Sequence, residues 1–96
     1  IWGSRMALAL RHQGVALELR HVEIIFHDPW SSNDVGWKDV SYVQSMTPAV
    51  CHVAGYIVLE SETQIIIASM VIPETGDVSL LSCVPKGCIV KVNDLL

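Results

Sequence analysis

The stretch from Met46 to Ser61 constrains the fold more than any other part of the chain. It holds two β-branched runs, Ala49 to Val53 and Tyr56 to Leu59, separated by Ala54-Gly55. That spacing predicts a β-hairpin. Pro48 cannot donate to a strand ladder, so it is expected at the first residue of a strand or in a special turn, with a cis bond as one option. Ser61-Glu62-Thr63-Gln64 then has the S-x-x-Q form of a capping box, in which the serine oxygen satisfies a free amide and the glutamine reaches back to the cap. A helix is predicted from Glu62 to about Val71, ended by Pro73 and Gly76. The first amides of a helix have no intrahelical partners and attract a carboxylate, so this junction is a place where an anionic peptide could be held. The same residues also describe an ordinary hairpin followed by an ordinary cap.

A chain of 96 residues supports one domain with a modest core. Half of it is hydrophobic (51%) and the mean hydropathy is positive (+0.44), which excludes intrinsic disorder. The longest apolar run, around Ile65 to Ile72, is far shorter than the roughly twenty residues that cross a bilayer, so no membrane span is expected. Net charge is −4, and Arg5, Arg11, Arg20, Lys38, Lys86 and Lys91 are scattered along the chain. This argues against a nucleic-acid interface. Three cysteines, an odd number, fit reduced thiols in an intracellular compartment better than a disulfide framework. A Cys83 to Cys88 bridge or metal pair is the alternative, but no second ligand pair stands at zinc spacing. The chain begins with Ile1 and shows no leader signature, which suggests the ordered part of a longer protein.

Taken in order, Ser4 is a candidate N-cap for a helix over Arg5 to Gln13, stopped by Gly14. Val15 to Ile25 alternates and reads as a strand. His27 to Trp37 is rich in turn residues and reads as a long loop that Trp30 and Trp37 pin to the core. Val40 to Met46 has room for one helical turn. Glu74 to Asp77 looks like a linker, and Val78 to Leu81 and Cys88 to Val92 are strand-like pieces around Pro85-Lys86-Gly87. The order is α-β-loop-β-β-α plus a tail.

That order resembles a thioredoxin-like domain lacking its first strand, and specifically the N-terminal domain of glutathione S-transferases. The resemblance rests on Ile1-Trp2-Gly3-Ser4-Arg5-Met6-Ala7-Leu8, Arg11-His12-Gln13-Gly14-Val15, Thr47-Pro48-Ala49-Val50 and Glu60-Ser61. The Trp-x-x-Arg-Met-Ala-Leu run is nearest the fungal and bacterial branch that includes β-etherase-like transferases. It implies an α/β, thioredoxin-like fold with a glutathione-binding-type domain over residues 1–72, and a linker and tail of unassigned role over 73–96. It also implies glutathione as co-substrate. Thr47 would pair with the tripeptide backbone, Pro48 would shape that edge, Ser61 would take the γ-glutamyl carboxylate and Glu60 the γ-glutamyl amine. Glu62 and Thr63 are the alternative register for the last pair. The family's catalytic residue would lie upstream of Ile1, with Ser4 the nearest hydroxyl, and the second, all-helical domain of the family has no counterpart.

Cys51 and His52 are neighbours in a strand and point to opposite faces, so they do not form a nucleophilic pair; Cys51 reads as a small buried hydrophobe. His12, His21 and His27 lack ligand spacing. Glu60 and Glu62 make no acid-base pair. Two functions follow. One is a glutathione transferase-like domain that activates the thiol for attack on an electrophile. The other is a non-catalytic scaffold or accessory subunit of a larger assembly, in which a protein partner or further chain segment covers an open sheet edge.

Overall fold

The computed structural model describes residues 7–12, 15–29 and 31–95, with side chains from residue 18 onward. Six strands form one antiparallel sheet: β1 (Ala7–His12), β2 (Val15–Asp28), β3 (Ala49–Glu60), β4 (Gln64–Ile72), β5 (Asp77–Pro85) and β6 (Ile89–Asp94). The single α-helix among the described residues is α1 (Val40–Gln44). The strands follow one another as a meander from β1 to β5, and β6 returns to pair with β2.

β2 is the centre of this arrangement. Its first half pairs with β1, from Ala7 opposite Arg20 to His12 opposite Val15. Its second half has β3 on one side, with Val22 opposite Gly55 and Ile24 opposite Val53, and β6 on the other, with Ile24 opposite Val92. A flat sheet ordered β6-β2-β3-β4-β5 would hold its edge strands about 19 Å apart, four spacings of the ladder. Yet β5 and β6 are joined by one turn of 3-10 helix, Lys86–Cys88, which rises only about 2 Å per residue. The sheet therefore curls into a small, partly open barrel. Lys86 N donates to Thr63 O at 2.8 Å and Leu95 N to His21 O at 2.8 Å, tying down both ends of the closing segment.

The core lies inside that curl. Val22 and Ile24 of β2, Ile65 and Ile67 of β4 and Val84 of β5 are buried, with Phe26, Val53, Ile57, Ile89 and Val92 packed around them. On β2, β3 and β4 they occupy alternate positions, as a pleated sheet with one buried face requires; Ile89 and Val92, three residues apart on β6, reach the same side across the register shift opposite Ile25 and Phe26.

The architecture corrects the expected α/β, thioredoxin-like fold at four places. The segment expected as the first helix holds β1, so Ala7-Leu8-Ala9-Leu10, good helix formers in isolation, are extended and paired with β2. Cross-strand pairing overrides local propensity there; Ser4, Gln13 and Gly14 lie outside the described residues. The expected hairpin at Ala54-Gly55 is absent, because Ala49 to Glu60 is one continuous strand. The expected helix after Ser61 is β4. No peptide bond among the described residues is cis, Pro48 included. Val15 to Ile25 is a strand as expected, the turn before Pro48 is α1, and the tail's two strand-like pieces are β5 and β6. β5 and β6 pair with β4 and β2 in the same sheet as the rest.

The capping-box residues do form their local hydrogen bonds. Ser61 Oγ accepts from the amides of Thr63 and Gln64, both at 3.3 Å, and Ser61 N donates to Gln64 O at 2.9 Å. These bonds close the tight turn between β3 and β4. A serine capping its third following amide serves a turn as well as a helix start, and Ile65-Ile66-Ile67 continue it as a strand.

Candidate functional site

The residues that the resemblance assigns to glutathione fall at the two ends of β3. Thr47 and Pro48 lie exposed between α1 and β3. Glu60 ends β3 and Ser61 begins the next turn. A twelve-residue strand has a contour of roughly 40 Å, whereas an extended tripeptide reaches at most about 11 Å. The hairpin expected at Gly55 would have folded these pairs back toward each other, and a continuous strand does not. Glu60 Oε2 accepts from Lys86 Nζ at 2.9 Å, and Ser61 is occupied by the turn. Glu62 and Thr63 lie exposed in that same turn.

The remaining chemical candidates are dispersed. Cys51 is half-buried, with its thiol 4.0 Å from Asp28 Oδ2, while His52 is exposed on the opposite face with Nδ1 3.4 Å from Glu23 Oε2. His21 stacks on Tyr56, ring centroids 4.5 Å apart. Cys51, Cys83 and Cys88 are free thiols. Among the described residues no three His, Cys, Asp or Glu side chains gather where they could hold a metal ion. Trp37 is fully exposed, which corrects its expected role as a pin for the loop; Trp30 is outside the described residues.

Two displaced pKa values belong to that loop and have local causes. The Lys38 ammonium and then the Gly36 amide hold the Asp34 carboxyl below its ordinary range. The hydroxyl and amide of Ser41 do the same for Asp39, which caps α1 at 2.7 and 2.8 Å. A depressed carboxylate contributes above its ordinary pKa and loses its contribution as pH falls through the folded value. Acidification below about pH 4 is therefore expected to release the α1 cap, visible as a shift of the Ser41 amide resonance. Asp39→Asn keeps an acceptor and should leave that resonance flat with pH.

What the structure gathers is apolar and lies outside the barrel. The ladders place Leu59, Ile66 and Cys83 in one row of the outer face, and in the next Tyr56 and Leu81 flank Ala68, which is itself buried. β3 stops pairing with β4 at Tyr56 opposite Ala68, so the β4–β5 hairpin runs on beyond its neighbour. In that overhang and at its base, Met70 is 57% exposed, Ile72 54%, Leu80 63% and Leu81 59%. Leu80 also adopts the left-handed conformation, φ 54°, uncommon for a branched side chain, and interrupts the pairing with β4. An isolated two-stranded ribbon is marginal in water, and exposed apolar groups in a contiguous patch mark interaction sites. None of these residues stood out in the sequence. The signal was present in Ile65 to Ile72, where apolar residues fill both parities of a strand and one set has no core to enter.

No family model matches the chain, and no curated protein or solved structure is significantly similar to it. No helix of the described residues is long and apolar enough to cross a membrane.

Proposed function

We propose that this chain is a non-catalytic β-barrel module, an accessory or scaffold element of a larger protein assembly. The supporting observation is the overhanging β4–β5 hairpin, whose Met70, Ile72, Leu80 and Leu81 are each more than half exposed. Small barrels host many unrelated functions, so the surface rather than the fold carries the reading. An apolar ribbon of this kind is stabilised when a protein surface covers it, through the area it removes from water.

The test is photo-crosslinking from a reactive side chain placed at Met70, in the protein's native cellular setting. A protein adduct formed through that position is expected, together with its loss when Ile72 is replaced by Lys. The Ile72→Lys chain should keep its melting temperature, since the site is exposed and such substitutions stay within about 0.5 kcal/mol. Absence of any adduct would remove the support for a covered hairpin. Calorimetric titration with reduced glutathione separates this reading from the transferase-like one. The accessory module gives no saturable heat at millimolar ligand; saturable binding weakened by Ser61→Ala would favour the transferase.

A further inference from the structure

We infer that the segment between β2 and β3 is a processing site, at which an endoprotease with an aromatic-accepting pocket cuts the bond between Trp37 and Lys38 and leaves the chain as a two-piece barrel. The inference goes beyond the accessory-module reading and does not depend on what covers the β4–β5 hairpin.

The connections from β3 onward are tight turns, over 61–63, 73–76 and Lys86–Cys88. Between β2 and β3 the chain instead makes a long excursion, over 29–48. Every residue from 31 to 48 is exposed, and α1 within it buries nothing. Its bonds are local. The amides of Asp34, Gly36, Ser41, Val43, Ser45 and Met46 all donate to groups between Ser32 and Val43, and Lys38 pairs with Asp34 at 2.8 Å. An arm built on contacts with itself opens without disturbing the core, so it belongs to the least stable part of the fold. An endoprotease lays several residues of unpaired chain across its cleft. Exposed loops are therefore nicked where paired strands are spared.

The aromatic residues select the bond. Of those whose side chains are described, Phe26 and Tyr56 lie in paired strands and Tyr42 lies in α1. Trp37 is fully exposed, in the stretch from 31 to 39 that is neither helix nor strand. Water adds across the cut bond: hydroxide goes to the Trp37 carbonyl carbon, leaving a carboxylate, and the proton goes to the Lys38 nitrogen, leaving an amine.

The core keeps the two pieces together. Residues 1–37 supply Val22 and Ile24, which are buried with Ile65, Ile67 and Val84 of residues 38–96. β2 is also laddered to β3 and β6 of the second piece, and Arg20 binds Asp94. The cut removes none of these contacts. It does turn folding into the association of two chains, whose stability then depends on their concentration.

Digestion of the 96-residue chain with a trace of chymotrypsin, read by mass spectrometry, tests this. The first products are expected to be 1–37 and 38–96, eluting together from gel filtration at the position of the uncut 10.6 kDa chain. About tenfold dilution should lower the melting temperature of the cut barrel and leave that of the uncut chain unchanged. Mild urea should not speed the cut at Trp37 relative to a short peptide substrate, since the arm needs no unfolding to be reached. Trp37→Ser should slow the first cut at least about tenfold by removing the ring that the pocket takes. It should keep the melting temperature, because the site is fully exposed. A first cut outside the arm overturns the proposal. So does a Trp37 cut that waits on urea, a pair of pieces that part on the column, or a Trp37→Ser chain cut as fast as wild type. Each of these leaves the accessory-module reading standing, because the Met70 cross-link does not involve the arm.

Discussion

Gly55→Ala is expected to lower the melting temperature by about 10–20 °C, although the same change in an ordinary strand raises stability. Alanine normally gains because it restricts the unfolded chain, by about 0.4–1 kcal/mol. At position 55 space decides the sign. A Cβ there would lie 2.7 Å from the carbonyl oxygen of Ala68 and 3.0 Å from its carbon, with the Ile67 side chain at 3.4 Å. The obstructing atoms are backbone, so no rotamer change can relieve them. Gly55 sits where β3 passes from its pairing with β2 to its pairing with β4, and Ser69 Oγ donates to Ala54 O at 3.3 Å beside it. The strand turns a barrel corner there, and only a residue without a side chain lets β4 approach. Overpacking of this kind destabilises by about 1–3 kcal/mol. A thermal melt that moves upward would show that the corner has room to relax.

Ile24→Ala should be the most damaging core truncation, at about 3–4 kcal/mol and a fall of roughly 15–25 °C. Ile24 is fully buried on the strand that has ladder partners on both sides, facing Val53 across one ladder and Val92 across the other. Only six hydrophobic residues among those described are buried, so each carries a large share. A domain of this size has about 5–14 kcal/mol in total. Chemical denaturation should show Ile24→Val losing about 0.5–1.5 kcal/mol and Leu81→Ala within about 0.5 kcal/mol of wild type. Equal losses for Ile24→Ala and Leu81→Ala would contradict the division of inside from outside on which the reading of the hairpin depends.

How much of this architecture could be read beforehand differs from element to element, for physical reasons. β2 announced itself by alternation in two runs of opposite phase, Leu17-Glu18-Leu19-Arg20 and then His21-Val22-Glu23-Ile24, and the core takes Val22 and Ile24 from the second. β5 and β6 were legible as strand pieces around a turn. β4 was hidden because its outer face, with Ile66, Met70 and Ile72, is as apolar as its inner one. A segment apolar on both faces loses its period, and the capping signature ahead of it then tipped the reading toward a helix. The β-branched density of Ile65-Ile66-Ile67 and Val71-Ile72 was the cue that favoured a strand. Gly55 misled for a related reason: glycine marks turns and also close approaches of backbone, and the two look alike until the neighbour is known. The glutathione assignment rested on the order and spacing of its motifs; in the structure Thr47-Pro48 precede β3 and Glu60-Ser61 stand at its far end. The candidate surface was legible only as the surplus of apolar residues in Ile65 to Ile72; which of them stay exposed depends on where the barrel ends.

The return of β6 to β2 also sets a timetable. Val22 pairs with Asp94, and Arg20 Nε donates to Asp94 Oδ1 at 3.0 Å, so the contacts that seal the barrel join positions far apart in the chain. Sequence-distant pairing of this kind places folding in the millisecond to second range. During synthesis at about 5–20 residues per second, β2 waits several seconds for the strand that completes it. Throughout that interval its edge is open beside a growing meander of apolar strands. The β6 segment, short and interrupted by Lys91, thus acts as the late clasp of a barrel whose most vulnerable moment is its own birth.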